Sequence, residues 1–143
     1  MKILRVALGV IVGAYAVFDL VPIVGNAWYK AGLLNPVPED LARMIPLWDA
    51  TAWWELAVWS AVVALWITAA WRLIRGRSAL GLYLGAVLVD AVLWWVMHAT
   101  PAYQQVFTPA ELREDYVILL VTGIVAAAIW RVERSGRAAT AAA

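Results

Sequence analysis

The stretch VALGVIVGAYAVFDLVPIV, residues 6–24, decides the fold. It carries a single charge, Asp19, and matches the roughly 20 apolar residues a helix needs to cross the ~30 Å hydrocarbon core of a bilayer. Working outward, three more such stretches follow at 52–71, 79–97 and 116–130, each bounded by charge, Pro or Gly. The composition agrees: of 143 residues 65% are hydrophobic and 15% charged, against roughly 45–50% and about 25% in soluble domains. In lipid every backbone N–H and C=O has to be satisfied inside the chain, so spans of this length are helices. The sequence predicts an all-α polytopic membrane protein with one domain over 1–137, a four-transmembrane-helix bundle, and a disordered tail at 138–143.

Charge orients the spans. Lys2, Arg5, Arg72, Arg75, Arg77, Arg131, Arg134 and Arg137 flank one set of span ends, whereas Lys30, Arg43 and Arg113 flank the other. The positive-inside rule then gives an N-in/C-in topology in a bacterial cytoplasmic membrane. Lys2 and Arg5 ahead of an apolar run also resemble a signal peptide, but Gly25-Asn26-Ala27 is a poor cleavage site and Asp19 and Pro22 argue for a retained span. In the first outer loop Leu41, Met44, Ile45 and Trp48 fall at i, i+3, i+4 and i+7, the pattern of a short amphipathic interfacial helix that could cover the bundle. In the second, Thr108-Pro109-Ala110-Glu111 is a capping box with proline at the first helical position, which starts the fourth helix near Pro109. Asp49 reads as a cap for the second helix.

A carboxylate in hydrocarbon costs ~2.5–3.5 kcal/mol even on insertion scales, so each one has to be solvated, paired or neutralised. Counted along the spans at about 1.5 Å per residue, Asp19, Glu55, Asp90 and His98 all fall in the outer half of the membrane, and the inner half has no ionisable group. Helical spacing puts Tyr15, Asp19 and Asn26 on one face of the first span, Glu55, Trp59 and Trp66 on one face of the second, and Asp90, Trp94 and His98 on one face of the third. The expected ligand-binding set is therefore Asp19, Glu55, Asp90, Trp59, Trp94, His98, Tyr15 and Asn26. An alternative stays open, in which the acids are protonated or hydrogen-bonded glue between helices. Gly9-xxx-Gly13 and Gly81-xxx-Gly85 are small-xxx-small motifs; facing one another, they would close the inner end and leave a cavity at the outer one. Of the ten tryptophans, Trp53, Trp54, Trp94 and Trp95 suit an outer aromatic belt, and Trp71 and Trp130, each before an arginine, an inner one.

Several chemistries are excluded. Without cysteine there is no disulfide, thiolate nucleophile or Cys-ligated centre. One histidine cannot build a bis-histidine haem or a histidine-rich metal site. There is no phosphate loop and no nucleophile elbow. No cofactor or metal is expected, and the short basic clusters suit anionic lipid rather than nucleic acid.

Two family resemblances follow. Leu4-Arg5-Val6-Ala7-Leu8-Gly9, an apolar span, a Pro-containing loop and three further helices resemble DoxX-like small membrane proteins over most of the chain. Phe18-Asp19-Leu20 and Trp54-Glu55-Leu56 look like the intramembrane acids of the four-helix sterol isomerase and sigma-2-receptor-like family. That second resemblance implies binding of sterols or amphiphilic cations at Asp19 and Glu55. The expected function is binding of an amphiphilic or cationic small molecule in a carboxylate- and Trp-lined cavity. The alternatives are an accessory subunit of a larger complex or a homo-oligomer, an intramembrane acid–base isomerase, and a small proton-coupled transporter.

Overall fold

In the computed structural model each apolar stretch forms one continuous helix; residues 2–141 are described, without the side chains of residues 112 and 137–141. In chain order α1 covers Lys2–Lys30, a 3₁₀ turn Glu39–Met44, α2 Ile45–Ala50, α3 Trp53–Ile74, α4 Leu80–His98, α5 Pro101–Val106 and α6 Pro109–Ala141. α1, α3, α4 and α6 are long and apolar enough to cross a membrane, so this is the chain of an integral membrane protein. The 19 residues of α4 match the hydrocarbon thickness at about 1.5 Å per residue, whereas the 29 of α1 overshoot it.

α6 starts where its capping box requires. The Thr108 backbone N–H donates to Glu111 Oε2 at 2.8 Å, and the Glu111 N–H donates back to Thr108 Oγ1 at 3.3 Å. Its other end runs past Trp130 to Ala141, into the tail expected to be disordered, whose last residues Ala142 and Ala143 lie outside the described ones.

α3 is the hub, packed on α1 along one side and α4 along the other. Val62, Trp66, Ala69 and Leu73 of α3 are buried among Leu8, Val12 and Ala16 of α1, Tyr83 and Ala86 of α4, and Ile129 and Val132 of α6. Lipid tails are as apolar as these side chains, so dispersion and close approach hold the helices together. Gly9 sets that approach: a Cβ there would lie 2.6 Å from Ile74 Cγ1 and 2.9 Å from the Ala70 carbonyl oxygen. This corrects the expected seam between the two glycine motifs. The α1 motif packs on α3, and a Cβ at Gly81 or Gly85 would meet nothing within 4 Å.

At the end of the bundle where α1 starts and α6 finishes, α6 runs beyond the apolar stretch expected to end at 130 and brings in Glu133, only 6% exposed. Its carboxylate accepts from the backbone N–H groups of Ala79 at 2.6 Å and Leu80 at 3.1 Å and from Ser78 Oγ at 2.9 Å. Those are donors that the first turn of α4 leaves over. Beside it, the Arg5 guanidinium donates to the Gly76 carbonyl, where a turn needs the glycine's φ of +71°.

At the other end, α2 and α5 pack together as a roof. The single amphipathic helix expected over 41–48 is two pieces, because Pro46 begins a new α-helix after the 3₁₀ turn. Leu47 packs among Leu93, Met97, Tyr103 and Val106. Trp48 is buried against Gly25 and the Tyr29 ring. Asp49 does not cap α3: it accepts from Tyr29 Oη at 2.8 Å and ties the roof to α1.

Candidate functional site

Beneath that roof lies a cavity of about 280 Å3 enclosed by α1, α3, α4 and α6. α1 contributes Tyr15, Asp19, Pro22 and Asn26, which are spaced at four, three and four residues and so form one helical face. Pro22 has no N–H, which leaves the Phe18 carbonyl one helical turn back without its usual donor. α4 contributes Asp90, Leu93, Trp94 and Met97, and α3 contributes Trp59. α6 contributes Asp115, Ile118 and Leu119, and the roof Met44, Leu47, Trp48, Tyr103 and Phe107.

Six of the eight expected site residues thus meet around one space: Tyr15, Asn26, Asp19, Trp59, Asp90 and Trp94. Glu55 and His98 do not line it. Glu55 lies one turn before Trp59, and its Oε2 folds back to accept from the Ala52 N–H at 2.6 Å, capping α3. That bond draws the carboxylate toward its own backbone. The His98 ring lies against those of Trp94 and Tyr103, with centroids 4.8 and 5.5 Å away, and so belongs to the join between α4 and α5.

The polar groups of the cavity fall into two sets. Asp115 Oδ2 is satisfied, accepting from Trp94 Nε1 and from Tyr103 Oη, both at 3.0 Å. Burial, and next the Asp115 carboxylate it donates to, push the Tyr103 phenol above its ordinary range. The other set is only partly satisfied. Trp59 stands beside Asp19 and Tyr15 beside Asp90, yet Asp19 Oδ2, Asn26 Oδ1 and Trp59 Nε1 are buried without a hydrogen-bond partner. Each such group costs about 1–3 kcal/mol until something satisfies it. No Lys, Arg or His stands among the lining residues to balance Asp19 and Asp90. Among the described residues no group of three or more acidic, His or Cys side chains could hold a metal ion.

Sequence reasoning missed Asp115 and the α5 part of the roof, whereas it expected a cover from Met44 and Trp48 of the first outer loop. Asp115 was placed just outside the fourth span, although the capping box at Thr108 already made it helical. Its i+3 and i+4 neighbours Ile118 and Leu119 share its face, which was the available signal. The i, i+3, i+4, i+7 pattern over 41–48 signalled one half of the roof; its pairing with α5 had no signal, since it forms through contact between two loops far apart in sequence.

No protein family, curated protein or solved structure matches the chain.

Proposed function

We propose that the protein binds an amphiphilic cation, with the cationic head held at Asp19 and Asp90. One observation carries the reading: Asp19 and Asp90, with Asp19 Oδ2, Asn26 Oδ1 and Trp59 Nε1 buried without a hydrogen-bond partner, converge on a largely apolar cavity that has no basic side chain in its lining. An ammonium head supplies donors to Asp19 Oδ2 and Asn26 Oδ1, while the Trp59 indole next to Asp19 offers its ring face to the same charge. The sequence resemblance to sigma-2-receptor-like proteins points to the same ligand class. Here, however, Asp90 takes the place expected of Glu55, whose carboxylate caps α3.

A bacterial cytoplasmic membrane with both termini inside is the setting proposed. The basic residues at the termini end support that orientation, and it places the cavity in the outer half of the bilayer.

The test is titration of dodecylamine into the protein in phosphatidylcholine nanodiscs, read by tryptophan fluorescence against empty discs. Asp19→Asn and Asp90→Asn should each weaken binding tenfold or more, the factor given by losing a charge-assisted hydrogen bond of ~1.5–3 kcal/mol. Glu55→Gln should bind like the parent. Parent protein that takes up no more amine than empty discs, or acid variants that bind as the parent does, would overturn the reading.

A second reading has its own support. A Cβ at Gly81 or Gly85 of α4 would meet nothing within 4 Å, and α6 is the least buried span, 11% of its apolar window against 33% for α3. Both are free for a partner helix in a larger membrane complex. A stoichiometric protein partner retained through purification, together with absence of amine binding, would favour it.

A further inference from the structure

A second cavity, of about 160 Å3, lies next to the first on the side toward the termini. Ile11 and Val12 of α1 face Val117, Val121 and Val125 of α6 across it, and Trp66 and Tyr83 line its inner side. Tyr15 and Ile118 line both cavities, so the two chambers abut at those side chains. They differ sharply in chemistry. The lower chamber has no charged residue; the polar groups of Thr122 in its wall are already used, and of its other polar atoms the Trp66 Nε1 is buried without a hydrogen-bond partner. The Thr122 hydroxyl donates to the Leu119 carbonyl at 2.8 Å, and its carbonyl accepts from Tyr83 Oη at 2.9 Å.

The lower chamber also faces outward. Its rim residues Ile11, Val117 and Val121 are 52%, 59% and 49% exposed, because α1 spends most of its contact on α3 and meets α6 only lightly. In a bilayer that seam opens onto lipid chains rather than water.

We infer that the ligand of this site is a single-tailed, long-chain amine whose alkyl tail occupies the lower chamber between α1 and α6, and that it reaches the site sideways from the bilayer through that seam. The inference rests on the head-group reading above and adds the tail. Three observations commit the chamber to an alkyl chain: its position against the carboxylate cavity, with Tyr15 and Ile118 shared between their walls, its lack of charge, and its opening toward lipid. A phospholipid is disfavoured, since its phosphate would sit against Asp19 and Asp90.

Long amines partition into any bilayer, so the test compares proteins at fixed chain length. Binding of butylamine and of dodecylamine is measured in phosphatidylcholine nanodiscs for the parent, Val121→Trp and Val117→Trp. Both substitutions fill the lower chamber from exposed wall positions. The expected result is a tenfold or greater loss for dodecylamine with butylamine unchanged. In the parent, dodecylamine carrying a diazirine at its tail end should crosslink to peptides containing Ile11–Val12 or Val117–Val125, and excess dodecylamine should compete it away while excess dodecanol should not. Tryptophan variants that bind both amines as the parent does, or crosslinks confined to α2 and α5, would overturn the tail assignment and leave the head-group reading standing. Equal competition by dodecanol would overturn it too, because any chain would then serve. A parent that binds neither amine above empty discs removes both readings.

Discussion

At the scale of single residues, the acids of this protein divide by what they accept. Glu55 and Glu133 hold backbone N–H groups at the starts of α3 and α4, Asp115 holds two side-chain donors, and Asp19 keeps an oxygen free. Glu133→Ala should destabilise by about 1–3 kcal/mol, since it strands the buried Ala79 N–H and its neighbours. A drop in the thermal midpoint, larger than that for Glu55→Gln and with amine binding retained, is the outcome to look for. Tyr103 gives a pH prediction. Its folded-state value is raised by burial and by Asp115, so its contribution is complete below the ordinary tyrosine value of about 10 and is lost as the pH climbs past it. Stability should therefore hold through neutral pH and fall above about pH 10, and Tyr103→Phe should shrink that alkaline fall while lowering stability at pH 7. Denaturation curves across that range would check both. Glu55 shows why residue type and depth do not assign a role: an acid in the first turn of a helix has backbone donors within reach.

Between elements, the two glycine motifs make opposite predictions although they read alike in sequence. Gly9→Ala puts a methyl 2.6 Å from Ile74 Cγ1 and 2.9 Å from the Ala70 carbonyl, so α1 and α3 have to move apart, at about 1–3 kcal/mol for overpacking. Gly85→Ala meets nothing within 4 Å and should be neutral or stabilising by up to about 1 kcal/mol, because alanine is the better helix former. Unfolding of the two variants side by side decides it; equal effects would mean that α1 and α3 do not pack through Gly9. The faces of α1 and α4 were legible because the helical repeat puts Tyr15, Asp19 and Asn26, or Asp90 and Trp94, on one side whatever their neighbours are. Which helix each face meets was not legible, since periodicity names a side and not a partner. The α1 motif accordingly found α3, and the α4 motif found none among the described residues.

For the whole molecule, the arrangement puts the start of α1 and the end of α6 at the basic end of the bundle. Reporter fusions at the C-terminus and within residues 33–39 should report opposite sides of the membrane, the C-terminal one inside; a C-terminal reporter active outside would reverse the orientation and the cavity's depth with it. The sequence by itself determined that this is a helical membrane protein with four spans, where α6 begins, and which residues share the faces of α1 and α4. Those follow from hydrophobic length, capping chemistry and helical repeat, all local quantities. Only the tertiary structure decided that Asp19 and Asp90 meet while Glu55 turns away, that Asp115 and the α2–α5 roof complete the cavity, that Glu133 caps α4, and that an apolar chamber continues between α1 and α6. Each of these depends on contacts between residues far apart in the chain, and such contacts are set by how closely helix backbones approach, which no local pattern records.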